Sequence, residues 1–350
     1  MCVTAYGQPL ELRELERPSP PRGYALVEVL ACGLCFSDVK TIRGRMPYSA
    51  WLPLPHVAGH EVSGRIVEVN GPSRLKPGDR VVAYHIWGCR RCGSCRRGDE
   101  HLCTDLVAWM GFTHPGGFQE YVVVPVEYLL AVPEHIPPTV ATALTCAMGT
   151  AYRAVAVRGR VLPGEQVVVL GLGGVGLHAA LIAQASGAEV IGVDLGDAKL
   201  EGARGAGVRV AVDSREAPQR VHEVAPEGAD AVIETTGVPA LMETARRMLR
   251  PGGRIVGVGY HVGEMMAVSS DQLVLLEQSV LGSRYASRTD MERIIRMVSD
   301  HLVEPVIDDV LPLEQLNEAV ERLEAGAVIG RLVLDVRAGA HQTHAKHTRG

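Results

Sequence analysis

The segment Gly171-Leu172-Gly173-Gly174-Val175-Gly176 constrains the fold more than any other stretch of the chain. It satisfies G-x-G-x-x-G, follows the β-branched run Gln166 to Leu170 and opens the helix-forming run Gly174 to Ser186, so it reads as strand, tight turn, helix. In such a unit Gly171 permits the turn, Gly173 lets a pyrophosphate approach the backbone, and Gly176 lets helix and strand pack closely. Gly174 and Val175 begin the helix, whose N-terminal amides are donors to phosphate. Asp194 ends the next strand, Glu189 to Val193. A carboxylate there accepts from both hydroxyls of an adenosine ribose and repels a 2′-phosphate, which predicts NAD rather than NADP. The plain alternative for Asp194 is a strand-end turn residue, and its spacing of about twenty residues beyond the glycines favours the ribose role. Lys199 either flanks the ribose or is a solvated helix lysine.

The same alternation continues from about 150 to 282, with further strands at Ala231 to Glu234 and Arg254 to Val258, the signature of a doubly wound parallel sheet. Up to about 145 the pattern differs. Short β-rich runs at Ala25 to Leu30, Gly64 to Val69, Arg80 to Ala83 and Gln119 to Val124 are punctuated by Gly and Pro, which predicts a β-rich domain with irregular loops. A helical pattern from Leu313 to Ala325 and a strand from Arg331 to Asp335 follow, and the polar tail is expected to be disordered. The boundaries read 1–147, 148–283 and 284–338, with 339–350 as tail.

A net charge of -5 spread over 350 residues marks no face for nucleic acid or an anionic membrane. The first thirty residues carry Glu11, Arg13, Glu14, Glu16 and Arg17 and no apolar core region, so no secretory signal is expected and the cytoplasm is the default. Val167 to Ala183 is the one run apolar enough to raise the question of a membrane span, and its glycines argue for strand, turn and helix instead.

Of the 8 cysteines, Cys89, Cys92, Cys95 and Cys103 are spaced C-x2-C-x2-C-x7-C. In a large chain this spacing points to a metal rather than to disulfides, and four thiolates around one ion match tetrahedral zinc. With every position filled by protein the role is structural. Reduced thiols in a metal-free loop are the alternative. A zinc ribbon reading nucleic acid would want a basic domain and two separated knuckles, and neither is present.

The other metal-capable residues are Cys35 in Gly33-Leu34-Cys35-Phe36-Ser37-Asp38, His60 and Glu61 after Gly59, and Cys146 in Leu144-Thr145-Cys146-Ala147. None is convincing alone, since a lone Cys or His is more often packed or exposed than ligated. Together with the four-cysteine lobe, Gly116-Gly117-Phe118-Gln119-Glu120-Tyr121, Cys146 to Thr150, the glycine loop and Gly330-Arg331, they resemble the zinc-containing medium-chain alcohol dehydrogenases over nearly the whole chain. The yeast and bacterial tetrameric enzymes are the most similar in style.

That resemblance implies a GroES-like catalytic domain, discontinuous in sequence, with a Rossmann domain inserted and the active site in the cleft. It implies a catalytic zinc held by Cys35, His60 and Cys146, with Glu61 able to approach the metal and Asp38 orienting the histidine. Ser37 matches the hydroxyl residue that takes the alcohol proton, Thr150 one that packs on the nicotinamide, and Arg331 one that reaches the cofactor phosphate. Two zinc ions per chain, NAD(H), a small alcohol with its aldehyde or ketone, and a homo-oligomer, tetramer before dimer, are the expected company.

Two positions depart from the pattern. Lys40 stands where many members carry the histidine that finishes a proton relay, and a lysine is a poor base at neutral pH unless its pKa is depressed. Phe36 stands near the cofactor where some relatives place a basic residue, which predicts weaker cofactor binding. Tyr48, Trp51, Trp87 and Trp109 to Phe112 are expected to line the substrate pocket and to favour apolar side chains. Polyol or amino-alcohol oxidation, a zinc-free quinone or enone reductase, and a catalytically silent NAD-binding sensor are the competing readings; the cysteine inventory disfavours the reductase, and the sensor would need a broken catalytic set.

Overall fold

The computed structural model describes residues 1–338, so the expected disordered tail lies outside the described residues. The chain divides into two compact units. Among the described residues, one holds Met1–Cys146, Ser287–Asp300 and 307–338, and the other holds Ala147–Ala286 and His301–Val306.

The second unit is a six-stranded parallel sheet in the order Val210–Asp213, Glu189–Asp194, Gln166–Leu170, Ala229–Glu234, Leu249–Gly257, Ser279–Gly282. Strands buried on both faces read as unbroken apolar runs. Val168, Leu170, Ile191, Val193, Val232 and Ile255 accordingly form a core with Val221, Met242 and Met248. The fifth strand starts at Leu249, ahead of the expected Arg254, because Pro251-Gly252-Gly253 interrupts its ladder without ending it; the register slips between Ala229 and Ala231 opposite that stretch.

The first unit is built on a seven-stranded sheet, mostly antiparallel, ordered Ile307–Pro312, Arg331–Asp335, Tyr24–Leu34, Glu61–Val69, Arg80–Ala83, Leu129–Ala131, with Tyr121–Pro125 also paired to Tyr24–Leu34. Tyr24–Leu34 runs past the expected Leu30. Its far end pairs Gly33 with Glu61 on one side and with Val333 on the other, so one strand gathers three segments distant in sequence. The C-terminal pattern resolves into a 3-10 turn, Leu313–Gln315, followed by the helix Leu316–Glu324.

Among the described residues, one helical run, Pro138–Arg158, is long and apolar enough to cross a membrane, and it is mostly buried inside the protein. It is a core element. Val167 to Ala183 instead forms a strand and the body of the helix Gly174–Ala185.

Candidate metal centre and dinucleotide loop

Strand Tyr24–Leu34 ends directly at Cys35, which caps the short helix Phe36–Ile42. His60 precedes, and Glu61 begins, the neighbouring strand, while Cys146 sits in a π-helical turn, Leu144–Met148, of the Pro138–Arg158 run. Such widened turns recur at functional sites because they re-aim one side chain. The ligating atoms of Cys35, His60, Glu61 and Cys146 all lie within 4.8 Å of one another.

Asp38, fully buried, joins two of these residues. One carboxylate oxygen is 2.8 Å from His60 Nδ1, and the other accepts from the Cys35 amide at 3.0 Å. A carboxylate on Nδ1 fixes that nitrogen as the donor and turns Nε2 toward the sulfurs. Nε2 is buried and has no hydrogen-bond partner. An orphaned acceptor of this kind, beside two cysteines and a carboxylate, fits a metal ion.

The electrostatics agree with that fit. The Cys146 hydrogen bond holds Cys35 well below the usual thiol range and leaves Cys146 well above it, so the pair shares one proton. Burial by itself disfavours an imidazolium at His60, but the Asp38 and Cys35 charges outweigh it and push the pKa up to about 10. A cation bound at these atoms displaces such protons.

Glu61 adds a charge that needs a partner. Burial pushes its carboxyl up to about 7 against the opposing pull of Arg331. Arg331, itself 4% exposed, donates Nε to Glu61 Oε2 at 3.1 Å and Nη2 to Oε1. The resemblance implied that Arg331 reaches a cofactor phosphate; here its guanidinium is folded inward, because an unpaired Glu61 carboxylate in this interior is costly. Glycine at 33 is required by the same pair, since a Cβ there would collide with Glu61 Oε2.

The four-cysteine lobe forms a second cluster, and it contains the short helix Gly93–Arg96. Backbone amides of Cys89, Cys92, Cys95 and Asp105 donate to sulfurs at 3.3 to 3.5 Å. The Cys95 amide holds Cys92 down to about 6, while desolvation pushes Cys95 up to about 12. Partly ionised, amide-supported thiols fit a closed zinc site. Tyr128 hydroxyl donates to the Gly88 carbonyl at 3.0 Å and ties this lobe to the sheet.

In the other unit Gly173 caps the helix Gly174–Ala185, and a Cβ on Gly176 would overlap the Gly171 carbonyl. Asp194 ends its strand half-buried and accepts from the amides of Leu172 at 2.5 Å and Leu195 at 2.6 Å, so it braces the glycine loop as well as facing it. Lys199 and Thr150 belong to this unit, Lys199 partly exposed and Thr150 buried in the helical turn Gly149–Tyr152.

Ser37 and Phe36 occupy the first turn next to Cys35, with Phe36 46% exposed and Lys40 Nζ 5.9 Å over its ring. Tyr48, Trp109 and Phe112 form an aromatic wall with ring separations of 4.3 to 6.1 Å, and Phe112 lies 4.7 Å from the His60 ring. Trp51 is its exposed edge, 6.3 Å from Tyr48. Trp87 is not part of the wall. It is fully buried against Tyr24, His114 and Tyr128, with its indole donating to the Tyr84 carbonyl at 3.0 Å. The missed residue is His85, two positions earlier, whose buried ring lies 4.8 Å from His60. No spacing in the sequence marked it, because a regular pleat would put positions 85 and 87 on one face, whereas the chain between Arg80–Ala83 and Ile86–Trp87 turns them to different neighbours.

A β-rich unit, a parallel sheet with a glycine loop, a four-cysteine lobe and a Cys-His-Cys centre are the features of a zinc-type dehydrogenase. Residues 21–134 match the alcohol dehydrogenase GroES-like domain, and residues 174–300 match the zinc-binding dehydrogenase family. The chain is 33% identical over 338 residues to an alcohol dehydrogenase of Geobacillus stearothermophilus, covering 96% of this chain and 98% of the relative. It superposes on the crystal structure of an NAD-dependent alcohol dehydrogenase with a TM-score of 0.89 at 32% identity, covering 96% and 98% of the two chains. A cobalt- and zinc-bound alcohol dehydrogenase from Pyrobaculum aerophilum superposes with a TM-score of 0.84 at 27% identity, covering 96% and 99%. The chain belongs to the zinc-containing medium-chain alcohol dehydrogenase family.

Proposed function

We propose that the protein transfers a hydride between a small alcohol and NAD, giving the aldehyde or ketone, at a zinc held by Cys35, His60 and Cys146. The observation that carries this reading is the orphaned His60 Nε2 beside both cysteines, with Asp38 fixing the opposite ring nitrogen. Zinc held there supplies a Lewis acid for the alcohol oxygen. Asp38 keeps His60 in the ligating tautomer, and Arg331 holds the Glu61 carboxyl in place beside the centre and favours its ionised form against burial. Ser37 takes the alcohol proton. The loop from Gly171 to Gly176 and Asp194 hold NAD, with Phe36, Thr150 and Lys199 as further contacts. Cys89, Cys92, Cys95 and Cys103 hold a second, structural zinc.

We place the enzyme in the cytoplasm, where the thiols of both clusters stay reduced. A homo-oligomer is supported by the edge strand Ser279–Gly282, on which Val280 is exposed, and by the exposed Val274 and Leu275 of the preceding helix Ser270–Leu275, apolar groups suited to a second copy. Light scattering on the purified chain decides between tetramer, dimer and monomer.

The function is tested by zinc content of the wild type and Cys35→Ser together with NAD-linked oxidation of an alcohol panel. Two zincs falling to one, with loss of turnover, is the expected result. One zinc that survives the substitution, with no turnover in the wild type, refutes the catalytic centre and leaves a reductase or a sensor.

A further inference from the structure

At the outer edge of the parallel sheet, beside the strand that ends in Asp194, a carboxylate occupies an arginine. Asp213 ends the edge strand Val210–Asp213 and is the register partner of Asp194 on the neighbouring strand. One residue further the two chains are still joined, because the Ser214 amide donates to the Asp194 carbonyl at 2.8 Å. Arg215 then folds back onto Asp213. Its Nε donates to Oδ1 at 2.8 Å and its Nη2 to Oδ2 at 2.7 Å, while its amide donates to Oδ1 at 2.8 Å. The Arg215 guanidinium and amide hold the Asp213 carboxyl down to about 2, and the Gly196 amide, two residues beyond Asp194, adds to their pull. Asp213 is therefore ionised throughout the neutral range, with both oxygens given to the arginine.

Other charges strengthen this pairing. Asp197 and Glu216 add to Asp213 in favouring the Arg215 cation. The Arg215 side chain is 77% exposed and that of Asp213 only 17%, so the cation is reachable from solvent while its charge is already matched. Adjacent strands lie about 4.8 Å apart, so a phosphate on the 2′-oxygen of a ribose held by Asp194 meets the end of the Asp213 strand next. A guanidinium fork is the side chain best shaped for that phosphate, and here two of its donors are committed to a carboxylate.

We propose that Asp213 and Arg215 form a second cofactor-selecting pair, in which Asp213 occupies the fork that would otherwise receive the 2′-phosphate of NADP and so reinforces Asp194 in favouring NAD. The inference rests on the NAD reading above and extends it from one strand end to the next. Removing the Asp213 charge turns Arg215 from a neutralised group into a phosphate donor, a change that removing Asp194 by itself does not make.

The test is direct binding of NADH and NADPH, followed by nicotinamide fluorescence, so that no turnover is needed. Asp194→Ser is compared with Asp194→Ser/Asp213→Asn and with Asp194→Ser/Asp213→Asn/Arg215→Ala. Asparagine keeps an oxygen for the Gly196 and Arg215 amides and loses only the charge. The ratio of NADPH to NADH affinity is expected to rise about tenfold from the single to the double variant and to fall back in the triple variant. Asp213→Asn in the wild-type background gives the same comparison if the double variant does not fold. A double variant with the ratio of Asp194→Ser, or a gain that survives Arg215→Ala, overturns the pair. Failure of the wild type to bind either dinucleotide overturns the NAD reading itself, and the inference with it.

Discussion

Replacing Arg331 by leucine isolates the energetics of the buried pair next to the metal centre. Glu61 is fully buried and receives two guanidinium hydrogen bonds, and its pKa, already up to about 7 with the arginine present, rises further without it. Breaking a buried pair by removing one partner costs about 3–5 kcal/mol, because the remaining charge is uncompensated. Removing both, in Glu61→Gln with Arg331→Leu, leaves no charge behind and recovers a large part of that loss. The assay is urea unfolding followed by tryptophan fluorescence. The 3 tryptophans, at 51, 87 and 109, all belong to the first unit, so the signal reports the domain that holds the pair. Midpoints convert to free energies through the denaturant slope. A loss below about 1 kcal/mol for the single variant, or a double variant no more stable than the single, refutes the assignment of Glu61 as a buried charge neutralised by Arg331.

Asp38→Asn preserves shape but no longer orients His60, and zinc affinity at the centre is expected to fall roughly ten- to a hundredfold in chelator competition; unchanged affinity refutes the orienting role. Asp194→Ser is expected to lower the preference for NAD over NADP about tenfold in kcat/KM. An unaltered preference means that Asp194 only braces the Leu172 and Leu195 amides. Desolvation pushes the Tyr128 hydroxyl from its ordinary 10 up to about 12, so the unfolded chain ionises first as pH rises. The unfolded state then binds fewer protons, and stability is lost between about pH 10 and 12. Tyr128→Phe should flatten that part of the urea-midpoint profile, and a profile identical to wild type above pH 10 contradicts the buried, neutral phenol.

The sequence was most legible where local chemistry is repeated over a short span. The glycine loop with its flanking strand and helix, and the C-x2-C-x2-C-x7-C lobe, each complete their pattern within a few turns of chain, so spacing alone is informative. The catalytic set was legible only by resemblance, because Cys35, His60 and Cys146 come from segments whose meeting depends on strand pairing and on a π turn. Trp87 and His85 show the limit at close range. Both lie in one short stretch, yet Trp87 faces Tyr24 and Tyr128 while His85 faces His60.

Arg331 shows the limit at long range. Nothing within Gly330-Arg331 indicates whether the guanidinium turns to a phosphate or inward. That choice is made by strand register, which sets Gly33 beside both Glu61 and Val333 and so places Arg331 within reach of a carboxylate that no water can solvate. The sequence by itself determined which chemistries the chain carries, since ligand types and spacings are local properties. Tertiary structure decided which of those groups are desolvated and against what, because burial and pairing exist only once distant segments share one interior.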